Sequence, residues 1–346
     1  MTDLLAGVTV LDLSSVGPAA RAAGWLADYG ADVIKVWAPV GSGAQITPPA
    51  HAYSAGRGTR RTRIDLKSDT GREEFLRLAE TADVVIESFR PGVVARLGIG
   101  YDDVKSRNPH IVYCSTSGYG QDGERSQWAG HDLNYLAVGG YLANTEPGVD
   151  NKPPLPGATI ADSAAGGMHA VMAILAALVG RNATGESSYL DVSVADGVMS
   201  LMALQIDDNL ATGSSPAPGT APLGKRFACY DMYRCADNGW IAVGAIEAKF
   251  WANFCRLVGI DDCIDKQYDD TAQDTLRQRV SEVIATKPRD EWVALLAGAD
   301  TCVSPVLSPS EAAAAAPTSE TNGIRQLPPL FAGQVRRPSY EGPADE

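Results

Sequence analysis

The sequence lacks several short motifs that would place it at once in a common class of protein. Its six cysteines include no CxxC pair, and it contains no HExxH, no P-loop and no GxGxxG after the first predicted strand. Without CxxC, a disulfide framework or a structural zinc site is not expected, and the cysteines are predicted to be reduced thiols. Without GxGxxG, the sequence lacks the main motif that would indicate a nicotinamide or flavin dehydrogenase.

Positive charge and long apolar runs are also scarce. Lys and Arg number 29 against 42 Asp and Glu, a net charge of −13, which argues against nucleic acid as a partner. No apolar run approaches the roughly 18 residues that span a bilayer, so no membrane partner is expected. The chain does not open with the basic and apolar stretches of a secretory signal, and we expect a cytoplasmic location.

One segment departs from this acidic balance. It places five positive charges within eleven residues, namely Arg57, Arg60, Arg61, Arg63 and Lys67. One interpretation is a solvated basic loop. The other is a clamp for a ligand that carries phosphate groups, because guanidinium and ammonium groups bind phosphate oxygens well.

The pattern of the first half predicts an α/β fold. Strands are predicted at residues 8–13, 32–36, 63–66, 83–87, 111–115 and 189–194, and helices at 19–29, 69–80 and 162–180. Alternation of strands with helices is typical of parallel β-α-β units, and therefore of a doubly wound sheet.

A chain of 346 residues is long enough for two domains. We predict a large domain at 1–190, a linker at 191–224, a small domain at 225–315, and a return of 316–346 to the large domain. The linker is predicted from the Gly, Pro, Ser and Ala content of 211–224. Asp237-Asn238-Gly239 predicts a hairpin turn near the start of the small domain.

His131 is the first candidate for a chemical role. It follows a glycine and opens a helix-like run, where free backbone N–H groups can hold an oxyanion. Histidine is also the side chain best suited to exchange protons near neutral pH. The alternative is that His131 only caps the helix.

Two acidic residues are further candidates. Asp162 is followed only by small residues up to Gly167, which we expect to leave open space around a catalytic or nucleophilic carboxylate. A simple N-cap is the alternative. Glu247 follows a buried-looking strand and a Gly-Ala pair; by itself it is equally well explained as a solvated acid at a strand end.

A series of short segments, taken in their order along the chain, resembles the class III CoA-transferase (CaiB/BaiF) family over about residues 5 to 310. The general family motifs match Gly7–Leu13, Leu26–Lys35, Ile64–Lys67, Phe89–Gly92, Ser117–Gly120 and Thr301–Leu307. Gly130–Tyr135 together with Gly244–Glu247 is similar to its α-methylacyl-CoA racemase branch.

The resemblance implies a Rossmann-like large domain, a smaller α+β domain and an interlocked homodimer. Each active site then lies between the large domain of one subunit and the small domain of the other. His131 and Asp162 would be the two catalytic acid–base groups, and Glu247 would support His131 through a hydrogen bond. The backbone N–H of Asp132 would help to hold the thioester oxygen.

The implied reaction is racemisation at C2 of 2-methylacyl-CoA thioesters by two-base proton transfer through an enolate. The partner is an acyl-CoA substrate, and no metal or redox cofactor is expected. The resemblance also implies which residues bind the CoA part, because they stand at the positions that bind CoA in the family: Arg57, Arg63, Ile64, Lys67, Arg90, Arg96 and Tyr135.

The sequence departs from the family where a CoA-binding arginine usually follows the second strand. Trp37 and Ala38 stand there instead, and Glu186 also stands where a basic residue is usual. Lys35 or another part of the basic segment is expected to substitute. Alternatively, Trp37 stacks on the adenine ring.

Two other functions stay open at this point. The first is a CoA-transferase that moves CoA between carboxylic acids with Asp162 as nucleophile. The presence of both His131 and Glu247 weighs against it, since transferase members generally lack that pair. The second is a CoA-binding protein without activity, against which the retained acid–base residues argue.

Overall fold

The structure of the chain is a computed structural model that describes residues 4–41, 56–148, 150–214, 217–221, 223–321 and 324–328. The chain divides into two compact units. The first lies within Met1–Tyr141, Leu155–Asp207 and Ala316–Glu346, and the second within Leu142–Pro154 and Asp208–Ala315.

A six-stranded parallel sheet forms the centre of the first unit. Its strands are β1 (Thr9–Asp12), β2 (Asp32–Trp37), β3 (Thr59–Arg63), β4 (Val84–Glu87), β5 (Val112–Ser117) and β6 (Ser188–Ser193). The strand order is β3-β2-β1-β4-β5-β6, which is the order of a Rossmann-like, doubly wound sheet. The predicted α/β class is therefore confirmed.

Strand β3 begins and ends earlier than predicted. We expected a strand at 63–66, whereas β3 ends at Arg63. The strand lies at the edge of the sheet and consists only of Thr and Arg, so it carries no apolar pattern. Ile64, which suggested the strand, is buried just beyond its end.

Helices cover both faces of the sheet. One face carries α1 (Gly17–Asp28) and α7 (His169–Thr184), and the other carries α2 (Asp69–Ala79), α3 (Val93–Leu97) and α4 (Tyr101–Arg107). Neighbouring strand residues point to opposite faces, so that Val10 packs in the first core and Leu11 in the second. Because both faces are covered, the inner strands are apolar throughout.

The predicted helix from Asp162 to Gly180 consists of a π-helix, Ala161–Met168, that continues into α7. These 24 residues have a mean hydropathy of 1.7 in their most apolar window, so by length and composition they are able to cross a membrane. Their small Ala and Gly residues explain why no apolar run marked them in the sequence. Core helices pass the same test, and Ala170, Ile174 and Leu178 pack against the sheet.

The segment predicted as a linker is largely helical. After β6 it contains α8 (Val194–Leu201) and α9 (Ala203–Thr212), and the first unit extends to Asp207 instead of residue 190. Only the residues after Thr212 have the Gly, Pro and Ser content on which the prediction rested. The first unit also contains α5 (Asp132–Val138) and a hairpin of β10 (Ser319–Thr321) and β11 (Ile324–Gln326). Helix α6 spans Tyr141–Asn144.

The second unit is an α+β domain with its own core. An antiparallel sheet of β7 (Tyr230–Arg234), β8 (Trp240–Gly244) and β9 (Val303–Pro305) packs against helices. The helices are α10 (Ala248–Val258), a 3-10 helix (Asp261–Lys266), α11 (Gln273–Ile284), α12 (Arg289–Leu296) and α13 (Pro309–Ala315). The predicted hairpin is present: Asn238 adopts φ of 66° in the turn between β7 and β8.

All six cysteines are free thiols, as predicted, and only Cys302 is exposed. Within the described residues, no group of three or more His, Cys, Asp or Glu side chains is arranged to hold a metal ion.

Candidate active site

Among the described residues, two cavities open at the carboxyl ends of the parallel strands, where ligands bind in doubly wound folds. They lie on either side of the point between β1 and β4 at which the strand order reverses. One has a volume of about 470 Å³ and the other about 320 Å³. Val16, Ser88 and Phe89 line both cavities, which are therefore neighbours.

The larger cavity contains His131 and is called the histidine cavity below. Its other walls follow β4 and β5 and include Arg90, Gly118, Trp128 and Tyr135. The smaller one, called the β2–β3 cavity, is lined by residues that follow β1, β2 and β3. They include Ser14, Ala38, Ile64, Asp65 and Lys67.

His131 precedes α5 as its N-cap residue, but its side chain makes no capping hydrogen bond. Asn134 fixes this helix start instead. Its Oδ1 accepts a hydrogen bond of 3.0 Å from the His131 N–H, and its own N–H donates to the His131 carbonyl at 2.8 Å. The imidazole is exposed on the cavity wall and is not used for capping.

Asp162 lies in the first turn of the π-helix and is not its N-cap, which is Ile160. Its backbone N–H donates a hydrogen bond of 2.8 Å to Oδ1 of Asp132, the first residue of α5. Burial and the negative charge of Asp132 raise the pKa of Asp162, while Arg21 and His131 act in the opposite direction. His131 is therefore close enough for its charge to affect the Asp162 carboxyl.

The small residues after Asp162 do not leave open space, and that prediction was wrong. Gly166 and Gly167 are buried, and a Cβ atom on them would lie 2.7 Å from Pro18 Cβ and 2.9 Å from the Trp25 ring. They allow close packing of the π-helix against α1, which fixes the position of Asp162 in the fold.

Asp132 contributes two groups to this arrangement, its carboxylate and its backbone N–H. Its carboxylate holds the π-helix, as described, and its backbone N–H has no carbonyl partner inside α5 because it is the first helical residue. Such an N–H group suits the predicted oxyanion donor.

Tyr135 forms part of the wall beside His131. Its hydroxyl donates to the Gly130 carbonyl at 2.7 Å, and burial, followed by the charge of Asp162, raises its pKa to about 12. A Cβ atom would lie 2.4 Å from the Tyr135 ring at Gly118 and 2.7 Å at Gly130, so both glycines are required by its packing. Tyr119, which the sequence did not single out, packs edge-to-face on Tyr135 at 5.2 Å.

Glu247 lies in the second unit, where it precedes α10 and is exposed. Its side chain makes no capping hydrogen bond. The structure thus brings His131, Asp132, Asp162 and Tyr135 together in one unit, and the hydrogen bond from Glu247 to His131 stays a prediction.

The positive charges of the basic segment fall into two groups. Arg57 donates to both carboxylate oxygens of Asp28, at 2.7 and 2.6 Å, and Arg60 forms an ion pair with Asp32. These two guanidinium groups are already matched by carboxylates. Arg57, predicted to bind CoA, is therefore better explained as part of a structural ion pair.

Arg61, Arg63 and Lys67 form no ion pair with the described residues. Arg63 donates to the Ala38 carbonyl at 2.7 Å, and Ile64 and Lys67 line the β2–β3 cavity. These three cations are therefore not matched by carboxylates of the described residues, and the phosphate-clamp interpretation stays a prediction for them.

Lys35 and Trp37 do not act as the sequence suggested. The Lys35 ammonium forms a buried ion pair with Asp12, so it is not free to replace the missing arginine. Trp37 is only 9% exposed and has the Arg61 and Arg63 guanidinium groups against its ring, so its predicted stacking on adenine is wrong.

The two remaining predicted arginines differ in position. Arg90 lines the histidine cavity. Arg96 lies in α3 close to Gly92 and lines neither of the two cavities.

Glu87 is a buried titratable group beside the site that the sequence did not identify. It ends β4, is 1% exposed, and accepts a hydrogen bond of 2.6 Å from the N–H of Phe89, which lines both cavities. Burial raises its pKa to about 7, although the hydrogen bonds that it accepts from Ser115 and Phe89 lower the pKa. Its only sequence signal, an acid at the end of a buried strand, is the same as that of Glu247.

Comparison with known proteins identifies the family. The family model of CoA-transferase family III matches residues 5–337. The chain is 34% identical to alpha-methylacyl-CoA racemase of Homo sapiens over 306 residues (88% of this chain, 78% of the relative). It is 35% identical to the probable fatty acyl-CoA transferase Rv3272 of Mycobacterium tuberculosis over 316 residues (84% and 79%). The crystal structure of a CAIB/BAIF family protein from Brucella suis superposes with a TM-score of 0.80 at 26% identity, covering 98% of this chain and 94% of that one. The chain therefore belongs, as an enzyme, to CoA-transferase family III.

Proposed function

We propose that the chain racemises 2-methylacyl-CoA thioesters at C2. The observation that carries the proposal is the placement of His131 and Asp162 at the starts of two helices that the Asp132 carboxylate joins. A racemase needs two proton-exchanging groups held in a fixed relation, because one removes the proton while the other delivers a proton to the opposite face.

In the proposed reaction, one of the two groups takes the C2 proton, and the electron pair of the C–H bond enters an enolate. The backbone N–H of Asp132 donates to the enolate oxygen. The second group then donates its proton to C2 from the other face, and the two groups exchange their roles in the reverse direction. The raised pKa of Asp162 supports this, since it brings the carboxyl closer to the ordinary range of histidine. The reaction requires no metal or redox cofactor.

The two neighbouring cavities suggest how an acyl-CoA binds. The β2–β3 cavity, with Lys67 in its wall, would hold the CoA part, and the histidine cavity would hold the thioester. Ser88 and Phe89, which follow β4, line both cavities. One extended ligand that passes these two residues is therefore able to occupy both cavities.

We also infer that two copies of the chain form a homodimer in which Glu247 of the partner subunit supports His131. Large exposed apolar patches are typical of interfaces. Within the first unit, the helices α7, α8 and α9 carry four apolar side chains that are each more than half exposed, namely Met172, Val179, Leu201 and Leu204. Co-expression of a His131→Gln chain with a Glu247→Gln chain tests this: a shared site restores part of the activity, because one of the two sites in a mixed dimer is then intact. Activity no higher than that of either variant alone contradicts the shared site.

The reaction is tested with a single epimer of a 2-methylacyl-CoA in deuterated water. We expect deuterium at C2 together with loss of optical purity, measured by mass spectrometry and chiral chromatography. If the substrate keeps its C2 hydrogen and its optical purity, the racemase proposal fails.

A CoA-transferase is the second candidate, favoured by the 35% identity to a probable fatty acyl-CoA transferase. In that reaction the Asp162 carboxylate attacks the thioester carbonyl, forms a mixed anhydride and releases CoA as thiolate. The CoA thiolate then attacks the Asp162 carbonyl, which forms an enzyme-bound CoA thioester and releases the first acid. The acceptor carboxylate attacks this thioester and releases CoA thiolate, and attack of CoA on the acyl carbonyl of the new anhydride gives the new acyl-CoA and frees Asp162. An acyl-CoA supplied with a free acid acceptor tests it: a covalent adduct on Asp162 and a new acyl-CoA would replace the racemase assignment.

A further inference from the structure

We propose that Trp37 is a positioning residue that holds Arg61 and Arg63 as a phosphate-binding pair and so replaces the missing arginine of the CoA site. This inference rests on the acyl-CoA binding proposed above and names the residues that hold the phosphate groups. Trp37 itself is not proposed to contact the ligand.

The strand register places the three side chains together. In the parallel pairing of β2 with β3, Lys35 lies opposite Arg61 and Trp37 lies opposite Arg63. Residues two apart on a strand share a face, so both guanidinium groups reach the Trp37 ring. Their Cζ atoms lie 4.8 Å (Arg61) and 5.6 Å (Arg63) from the ring centroid. These distances are within the range of cation–π attraction.

The neighbouring charges show why this pair is the relevant one. Arg57, Arg60 and Lys35 are matched by Asp28, Asp32 and Asp12. Arg61 and Arg63 have an aromatic ring in place of a carboxylate among the described residues. An aromatic ring orients a guanidinium group without neutralising it, so both positive charges stay available for an anion.

Arg63 of this pair also lies at the edge of a cavity. Arg63 Nη1 is 2.7 Å from the carbonyl oxygen of Ala38, and Ala38 and Lys67 both line the β2–β3 cavity. Arginine side chains lose considerable rotamer freedom when they bind a ligand. A ring that restricts two of them beforehand reduces that loss, and the planar guanidinium groups match phosphate oxygens.

The test is a double-mutant cycle on the dissociation constant of CoA, measured by titration calorimetry. Trp37→Leu is expected to weaken CoA binding about tenfold or more, and Trp37→Phe, which keeps an aromatic face, to weaken it much less. In a chain that also carries Arg61→Gln and Arg63→Gln, Trp37→Leu is expected to have no further effect, because the groups it positions are gone. Arg60→Gln is the matched control on the same strand and is expected to leave CoA binding unchanged.

A Trp37→Leu effect of equal size in both backgrounds would overturn the proposal, because Trp37 would then act independently of the two arginines. Unchanged CoA affinity in the Arg61→Gln, Arg63→Gln chain would also overturn it. Thermal unfolding of each variant separates loss of fold from loss of binding: a Trp37→Leu chain that unfolds below the assay temperature is replaced by Trp37→Met, which has a longer side chain but also lacks an aromatic face and whose effect must likewise vanish without the arginines.

The binding test for Trp37 is able to fail independently of the deuterium test for the proposed reaction. A failed cycle with normal deuterium incorporation at C2 rejects the role of Trp37 alone. A positive cycle without deuterium incorporation rejects the reaction and leaves the phosphate site.

Discussion

The backbone N–H of Asp162 donates a hydrogen bond of 2.8 Å to the carboxylate of Asp132, which directly follows His131 in the chain. One side chain therefore ties the start of the π-helix to the start of α5. The backbone segments that carry the two proposed proton-exchanging residues are thereby held together, with His131 exposed on the cavity wall and Asp162 half-buried.

Replacement of either proposed acid–base group is expected to abolish racemisation. His131→Gln and Asp162→Asn should each lower the rate by about 10²- to 10⁴-fold in both directions, since each removes one of two positioned proton-exchanging groups. The measurement is the rate at which each epimer loses optical purity, followed by chiral chromatography. The exposed first-turn acid of α8 provides the control, Asp196→Asn, which should retain activity. A His131→Gln variant that still transfers CoA to an acid acceptor, while Asp162→Asn does not, would favour the transferase instead.

Asp132→Asn should shift the pH dependence of the reaction. Burial is the first cause of the raised pKa of Asp162, and the charge of Asp132 is the second. Removing that charge lowers the pKa of Asp162, so the carboxylate form persists to lower pH. In the direction in which Asp162 takes the proton, the acid limb of kcat/KM should therefore move to lower pH. An unchanged acid limb would mean that Asp162 is not the base that this limb reports.

Glu87→Gln should remove a component of the pH dependence of stability. The pKa of Glu87 is about 7 in the folded chain and about 4.5 when unfolded, so the stabilising contribution of its neutral form is present below pH 4.5 and lost as pH rises through 7. The difference corresponds to about 3 kcal/mol. Gln stays neutral and keeps an oxygen that accepts a hydrogen bond from the Phe89 N–H. The free energy of unfolding, measured with urea, should therefore fall less between pH 5 and pH 8 in Glu87→Gln than in the wild type. The exposed Glu124→Gln serves as control, and an equal pH dependence in wild type and Glu87→Gln would contradict the prediction.

Gly197→Ala and Gly180→Ala form a matched pair that tests helix packing near Asp162. A Cβ atom at Gly197 would lie 2.2 Å from the Ala165 carbonyl oxygen, so α8 must move away from the π-helix at a cost of roughly 1–3 kcal/mol. At Gly180, in α7, nothing lies within 4 Å of such an atom, and Ala should stabilise the helix by roughly 0.5–1 kcal/mol. Thermal unfolding should therefore shift in opposite directions, and a shift of the same sign in both variants would reject this packing.

Much of the fold was predictable because apolar patterns are local. The inner strands of the sheet, α1, α2 and the hairpin at Asn238 lie close to their predicted positions. The pattern misplaces the edge strand β3 because a strand made only of Thr and Arg contains no apolar residue that would signal burial. The helices α8 and α9 lie in a segment that was predicted to be a linker. That prediction rested on a Gly- and Pro-rich stretch that begins only near the end of α9.

For the site, the sequence alone was sufficient to select His131 and Asp162 and to indicate the family, since both follow from short contiguous motifs. Only the tertiary structure decided which charged groups are free. Arg57 and Arg61 are equivalent in the sequence, yet one meets the Asp28 carboxylate from α1 and the other meets the Trp37 ring from β2. The availability of a charge depends on the partner that a distant segment brings to it, and local pattern contains no information about that partner.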